Sequence, residues 1–197
     1  MAFDAMKTKT SLKTYIEEVR SIWREGRDPE LPFQVKGLLE KFLASINPQE
    51  SWIARLMERG LPAEELYRDK DYGFIQMGHV HEKGHTTLPH DHGPCWVLYG
   101  VYHGAAEIAT YRRVDHGNVP GRAELKKKEI HRLTAGVGIP CLSGEIHSAR
   151  TLEHSVVFCF LSHDLNKVRK HHYDLEKGIV QPLYGTPTEA LGSPRRA

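Results

Sequence analysis

The chain has 197 residues, 40% of them hydrophobic, with 27 lysines and arginines against 25 acidic residues. That composition fits one globular domain with a self-supporting core, and a formal charge of +2 supplies no long-range field able to hold nucleic acid or an anionic membrane. Three cysteines without a CxxC pair argue against a disulfide framework and for a reducing compartment, with the cytoplasm as the expected location, and no apolar run is long enough for a signal peptide or a membrane span.

The first predicted elements are helical. Leu12, Tyr15, Ile16, Val19 and Trp23 recur at three and four, as do Leu38, Leu39, Phe42, Leu43 and Ile46. Gly26 to Pro29 separates the first two helices, and Asn47-Pro48 precedes a third through Trp52, Leu56 and Met57, with Pro48 expected at its first position. Residues 1–60 therefore read as a helical region packed on a β domain. After Gly60-Leu61-Pro62 the period changes, and short strands are expected over Phe74–Val80, Trp96–Tyr102, Glu107–Arg113, Ile130–Leu133 and Ser155–Leu161. Lys126-Lys127-Lys128 reads as a solvated loop, residues 61–185 as a barrel or sandwich, and residues 186–197 as a disordered tail.

Histidine is in surplus, at 13 residues, and neutral imidazole is the commonest protein ligand for transition metals. In Leu88-Pro89-His90-Asp91-His92 an extended backbone places His90 and His92 on one face and turns Asp91 away. An HxH pair alone is a weak signal, since His79-Val80-His81 supplies another. His79, His81 and His85 read as an ordinary exposed strand face or as partners that fix a ligand's tautomer. Tyr99 and Val101 share the strand parity of Val97 and are expected to point into a pocket, with Trp96, Leu98 and Tyr102 packing behind unless a bulge at Gly100 breaks the parity.

These spacings resemble two motifs of the cupin superfamily. Gly84, His90, His92, Val97 and Gly104 stand in the register of the first, with Val97 where a glutamate is usual. Gly136, Leu142, Gly144, His147 and Thr151 stand in that of the second, with Leu142 replacing a proline and Thr151 an asparagine. The resemblance implies a mainly β chain, a cupin double-stranded β-helix or jelly roll preceded by two or three α-helices, with His90, His92 and His147 on one metal. With Val97 in the carboxylate's place, the ligand set is three imidazoles, and an uncompensated divalent ion favours anionic ligands such as a thiolate. Fe(II) is the expected metal, with Zn, Ni or Mn as alternatives.

Gly84 to Gly93 and Gly144-Glu145-Ile146-His147 further resemble the cysteine dioxygenase family of three-histidine thiol dioxygenases. That resemblance implies an anion-binding arginine, for which Arg68 is the candidate. From strand position, Tyr99 is a candidate hydroxyl donor to bound oxygen or substrate and Tyr102 another, with core packing as the alternative for both. The family's Ser-x-His-x-Tyr relay is absent from Phe158 to Asp164, leaving His163 as the nearest imidazole, while Arg169-Lys170-His171-His172-Tyr173 lies farther along. The cysteine that some members cross-link to tyrosine falls at Val97, with Cys95 two residues earlier. The implied function is an Fe(II)-dependent dioxygenase that oxidises a small thiol acid, such as cysteine or 3-mercaptopropionate, to a sulfinate. Other three-histidine chemistry, such as diketone cleavage or a lyase reaction, and non-catalytic ligand binding are the alternatives. Expected partners are a small substrate and dioxygen, with no nucleic acid or membrane, for a monomer or homodimer.

Overall fold

The computed structural model describes residues 10–23 and 28–183. Three helices come first, α1 (Ser11–Ile22), α2 (Leu31–Ser45) and α3 (Ser51–Arg59). Thr10 caps α1 by accepting from the Lys13 amide at 3.2 Å, and Pro32 occupies the first turn of α2, where its missing donor is not needed. Gly60 ends α3 in the left-handed region, at φ 56°. Pro48 does not open the third helix; it lies in the turn before Glu50, the residue at the N-cap position of α3. The Gly26–Pro29 break falls partly, and the expected tail wholly, outside the described residues.

Ten strands come after the helices: β1 (Glu64–Arg68), β2 (Ile75–His81), β3 (Val97–His103), β4 (Ala105–Arg113), β5 (Leu125–Thr134), β6 (Gly138–Cys141), β7 (Ile146–Thr151), β8 (Ser155–Leu161), β9 (Lys170–Asp174) and β10 (Ile179–Leu183). They form an antiparallel five-stranded sheet in the order β1-β2-β8-β3-β6 and a three-stranded sheet in the order β5-β4-β7, with the hairpin β9-β10 beside it. Non-sequential neighbours such as β2-β8-β3 are crossovers, and the architecture is a double-stranded β-helix of the jelly-roll kind. The three lysines Lys126 to Lys128 belong to edge strand β5 rather than to a loop, where exposed charge discourages edge pairing.

The central strand shows how the layers divide. Every residue from Ser155 to Phe160 is buried, because β8 is covered on both faces. Val156, Phe158 and Phe160 face the helices, among Phe42, Leu39, Leu98 and Phe74, while Val157 and Cys159 face the barrel interior with Val97, Val101, Ile108 and Leu133. Trp23 tilts against Phe74, Trp96 and Phe160, which anchors α1 to this sheet. Apolar burial of this kind stabilises by about 25 cal/mol per Å2 and fixes the sheet whose inner face borders the site.

Candidate metal centre

Residues 86–92 form no regular strand but thread between β7 and β9. His90 and His147 exchange both backbone hydrogen bonds at 2.9 Å, which sets the two side chains opposite one another on the same face. On the other side, the Asp91 amide donates to His171 O at 3.1 Å and the Tyr173 amide to Pro89 O at 2.8 Å. Gly93, at φ 58°, lets the chain turn there, and a Cβ would meet Arg169 O at 2.3 Å.

His90, His92 and His147 converge, with one ring nitrogen of each lying within 4.8 Å of the others. Their ring centroids are 4.5 to 5.0 Å apart. Nδ1 of His90 donates to Leu88 O at 2.8 Å and Nδ1 of His147 to Glu145 O at 3.1 Å, so each ring presents Nε2 as a bare acceptor. The Tyr99 hydroxyl, from the facing sheet, lies 3.3 Å from Nε2 of both His92 and His147. His92 Nδ1 and Thr110 Oγ1, the latter on β4 across from His147, are buried polar atoms without a protein partner. Burial holds His90 down at about 4 and His147 at about 3, and pushes His92 well below its ordinary range, so all three rings are neutral at physiological pH. Neutral nitrogen donors, converging and short of partners, suit a borderline divalent metal.

Asp91 turns away from this face, as its alternation requires. Its carboxylate is buried and accepts from the Gly93 amide at 2.8 Å, His171 Nδ1 at 3.0 Å and the Tyr173 hydroxyl at 2.9 Å. The same alternation in β9 sends Lys170 and His172 the other way. His172 pairs across from His90, with ring centroids 5.8 Å apart, and Lys170 is only 3% exposed. Sequence motifs gave these two residues no role. Their signal is the period-two pattern of Lys170 to Tyr173, which is legible only once that stretch is known to be a strand.

The other candidates divide. Val97 and Cys95 are buried in the barrel interior, and burial raises the Cys95 thiol. Arg68 lies at the sheet edge in register with Ile75, Leu161 and Val97, but its guanidinium is held by Glu65 at 2.6 and 3.0 Å and by Asp164 at 2.8 Å. Tyr102 does not join the three histidines: alternation with Val97, Tyr99 and Val101 puts it on the helix side, edge-on to Phe158 at 6.2 Å. His163 is exposed, with Nδ1 3.2 Å from Ser162 Oγ, and does not join the three histidines.

His79, His81 and His85 form a separate stack. His81 and His85 lie 4.0 Å apart at 7°, His79 and His81 5.4 Å apart, and His79 Nδ1 donates to Pro62 O at 2.7 Å. Burial lowers all three, His81 to about 3. The unfolded state therefore binds more protons below roughly pH 6.5, and stability falls as the pH drops from there toward the folded-state value. Thermal unfolding of His81→Gln should lose less stability than wild type between about pH 6.5 and pH 4, the difference in slope approaching about 1.4 kcal/mol per pH unit. Parallel curves for the two proteins would contradict this.

No family model and no curated protein matches the sequence. Solved structures with a similar course of the chain include KdgF from Halomonas sp., 19% identical over 52% of this chain and 79% of its own, at a TM-score of 0.40. A cupin-2 domain containing protein from Shewanella frigidimarina is 15% identical over 50% of this chain and 76% of its own, at 0.38. Hydroquinone 1,2-dioxygenase PnpCD is 10% identical over 47% and 60%, at 0.37. The barrel assignment rests on strand order and register.

Proposed function

We propose that the protein is a metal-dependent dioxygenase, with Fe(II) on His90, His92 and His147, acting on a small anionic thiol such as 3-mercaptopropionate or cysteine. The observation that supports it most is the convergence of three neutral imidazoles with Val97, not a carboxylate, on the facing strand. Iron, when bound, would supply dioxygen activation and an affinity for thiolate. The chain supplies the rest. Leu88 O and Glu145 O hold two rings in the donor tautomer, and the Tyr99 hydroxyl stands where it can donate to a ligand at the same centre. Burial keeps Tyr99 protonated and therefore a donor. The Val97, Cys159 and Leu161 side of the barrel excludes water. In the net reaction both atoms of dioxygen end on sulfur, which is oxidised as dioxygen is reduced, so no outside reductant enters.

Oxygen uptake by Fe(II)-reconstituted protein, monitored with cysteine, 3-mercaptopropionate and related thiols, should show consumption matched by sulfinate formation. No uptake with any thiol would remove the thiol reading. The imidazole of His172 beside His90 favours one second reading, a lyase or diketone cleavage on the same ligands, which products from a panel of enolisable acids would reveal.

A further inference from the structure

We infer that Thr110 is a ligand-binding residue of the three-histidine centre, its hydroxyl donating to a carboxylate oxygen of the thiol acid bound there and so favouring acids over bare thiols. This rests on the thiol-acid reading and adds to it a residue that meets the acid group.

Strand register places the hydroxyl. β7 lies between β4 and the segment that carries His90, with His147 paired to His90 on one side and to Thr110 on the other. Directly opposed residues of an antiparallel pair share a face, so Thr110 points to the same side of this sheet as the His147 ring. Alternation along β4 agrees, since Ala106 and Ile108, at two-residue steps from Thr110, belong to the barrel interior. From the facing sheet the Tyr99 hydroxyl lies 3.3 Å from His147 Nε2. Hydroxyls from two strands therefore approach the His147 side of the centre.

Thr110 is 4% exposed, and its Oγ1 has no hydrogen-bond partner among the described residues. Glu129, its partner across β5, holds His131 at 3.3 Å instead. An unpaired buried hydroxyl works against folding, and a valine would fill nearly the same volume beside Val97, Val101, Ile108 and Cys159 without that penalty. A hydroxyl in such a lining calls for a polar atom to meet it when the site is filled. Charge says which atom. A divalent ion on three neutral ligands matches both the thiolate and the carboxylate of a thiol acid, so the acid group needs neutral donors rather than a side-chain cation. Arg68, already shared by Glu65 and Asp164, is not required. A bare thiol brings Thr110 no oxygen and leaves the hydroxyl unmet, which is how a site built to hydrogen-bond its substrate rejects an analogue.

Two measurements on wild type, Thr110→Val and Thr110→Ser test this: anaerobic calorimetric titration of the Fe(II)-loaded protein with 3-mercaptopropionate, propionate and 1-propanethiol, and thermal unfolding of the metal-free protein. Thr110→Val should weaken 3-mercaptopropionate binding by about tenfold or more, the scale of a hydrogen bond to a charged group, while propanethiol affinity and metal content stay within about twofold. Thr110→Ser keeps the donor and should hold acid affinity within about threefold. Without metal, Thr110→Val should unfold at the wild-type temperature or about 2 to 4 °C above it, because the hydroxyl has no bond to lose. A metal-free Thr110→Val that unfolds more than about 2 °C below wild type would assign the hydroxyl to the fold and overturn the inference. Unchanged acid binding, or an equal loss with propanethiol, would overturn it too. Failure of the thiol reading looks different: wild type then binds propionate as tightly as the mercapto acid, and loss of propionate affinity in Thr110→Val still upholds the contact.

Discussion

His147→Ala is expected to leave a folded protein that retains less than about a tenth of the wild-type metal after dialysis and shows no oxygen uptake with thiols. His147 is fully buried, and its backbone pairs with His90 on one side and Thr110 on the other, so the strand survives loss of the ring. What is lost is one of three donors. Disturbing even an outer partner of a metal ligand commonly costs 10- to 100-fold in affinity, and removing the ligand itself should exceed that. Metal added to wild type should raise the unfolding temperature by mass action, about 2.7 kcal/mol of stabilisation at a hundredfold excess over the dissociation constant. In His147→Ala that increment should vanish.

Two controls give this result its meaning. Tyr102 packs against Phe158 on the helix side and His163 is exposed, so Tyr102→Phe and His163→Ala should keep full metal content. Inductively coupled plasma measurement on protein purified without chelator checks all three together. Stoichiometric metal in His147→Ala, or equal loss in the controls, would remove the three-histidine centre.

Much of this arrangement was legible in the residues, for a physical reason. Helical periodicity in 11–57 survives because one face of each helix must cover the five-stranded sheet, and the HxH alternation survives because an extended backbone has period two whether or not it forms a regular strand. The spacing of Gly84, Gly104, Gly136 and Gly144 carried the barrel turns, and all four have positive φ. The rest depended on long-range pairing. Nothing local says that residues 170–174 return beside 89–92, because that contact is made by backbone amides and by a glycine, Gly93, that makes room for Arg169 O. Arg68 was attractive because a planar cation near the right place suits a carboxylate, but its two carboxylate partners are visible only in three dimensions. Tyr102 lies on the helix side with Leu98, where the alternation that sends Val97, Tyr99 and Val101 into the barrel already puts it, so parity alone counts against it as a donor at the site.

That return of the chain is held by Asp91, and its removal gives the second large effect. Asp91→Ala leaves the Tyr173 hydroxyl, His171 Nδ1 and the Gly93 amide without their acceptor. A buried donor left unpaired costs about 1 to 3 kcal/mol. Tyr173 is 7% exposed and bears that in full, whereas water can replace part of the bond to His171, whose side chain is 32% exposed. The sum is about 2 to 4 kcal/mol, which for a chain of this size lowers the unfolding temperature by roughly 5 to 15 °C. Asp91→Asn should recover more than half of the loss, since its oxygen can still accept from Gly93 and its amide can donate to a rotated Tyr173 hydroxyl. Because the carboxylate ties β9 to the segment bearing His90 and His92, the loss should be local before it is global. Amide exchange at Asp91, Tyr173 and their neighbours should accelerate in Asp91→Ala more than exchange at Phe158 or Phe160 in the central strand. The same loosening moves His172 away from His90 while the central sheet stays intact. Wild-type protection along β9 in Asp91→Ala would mean that backbone pairing alone holds the strand, and the carboxylate would lose the positioning role assigned to it.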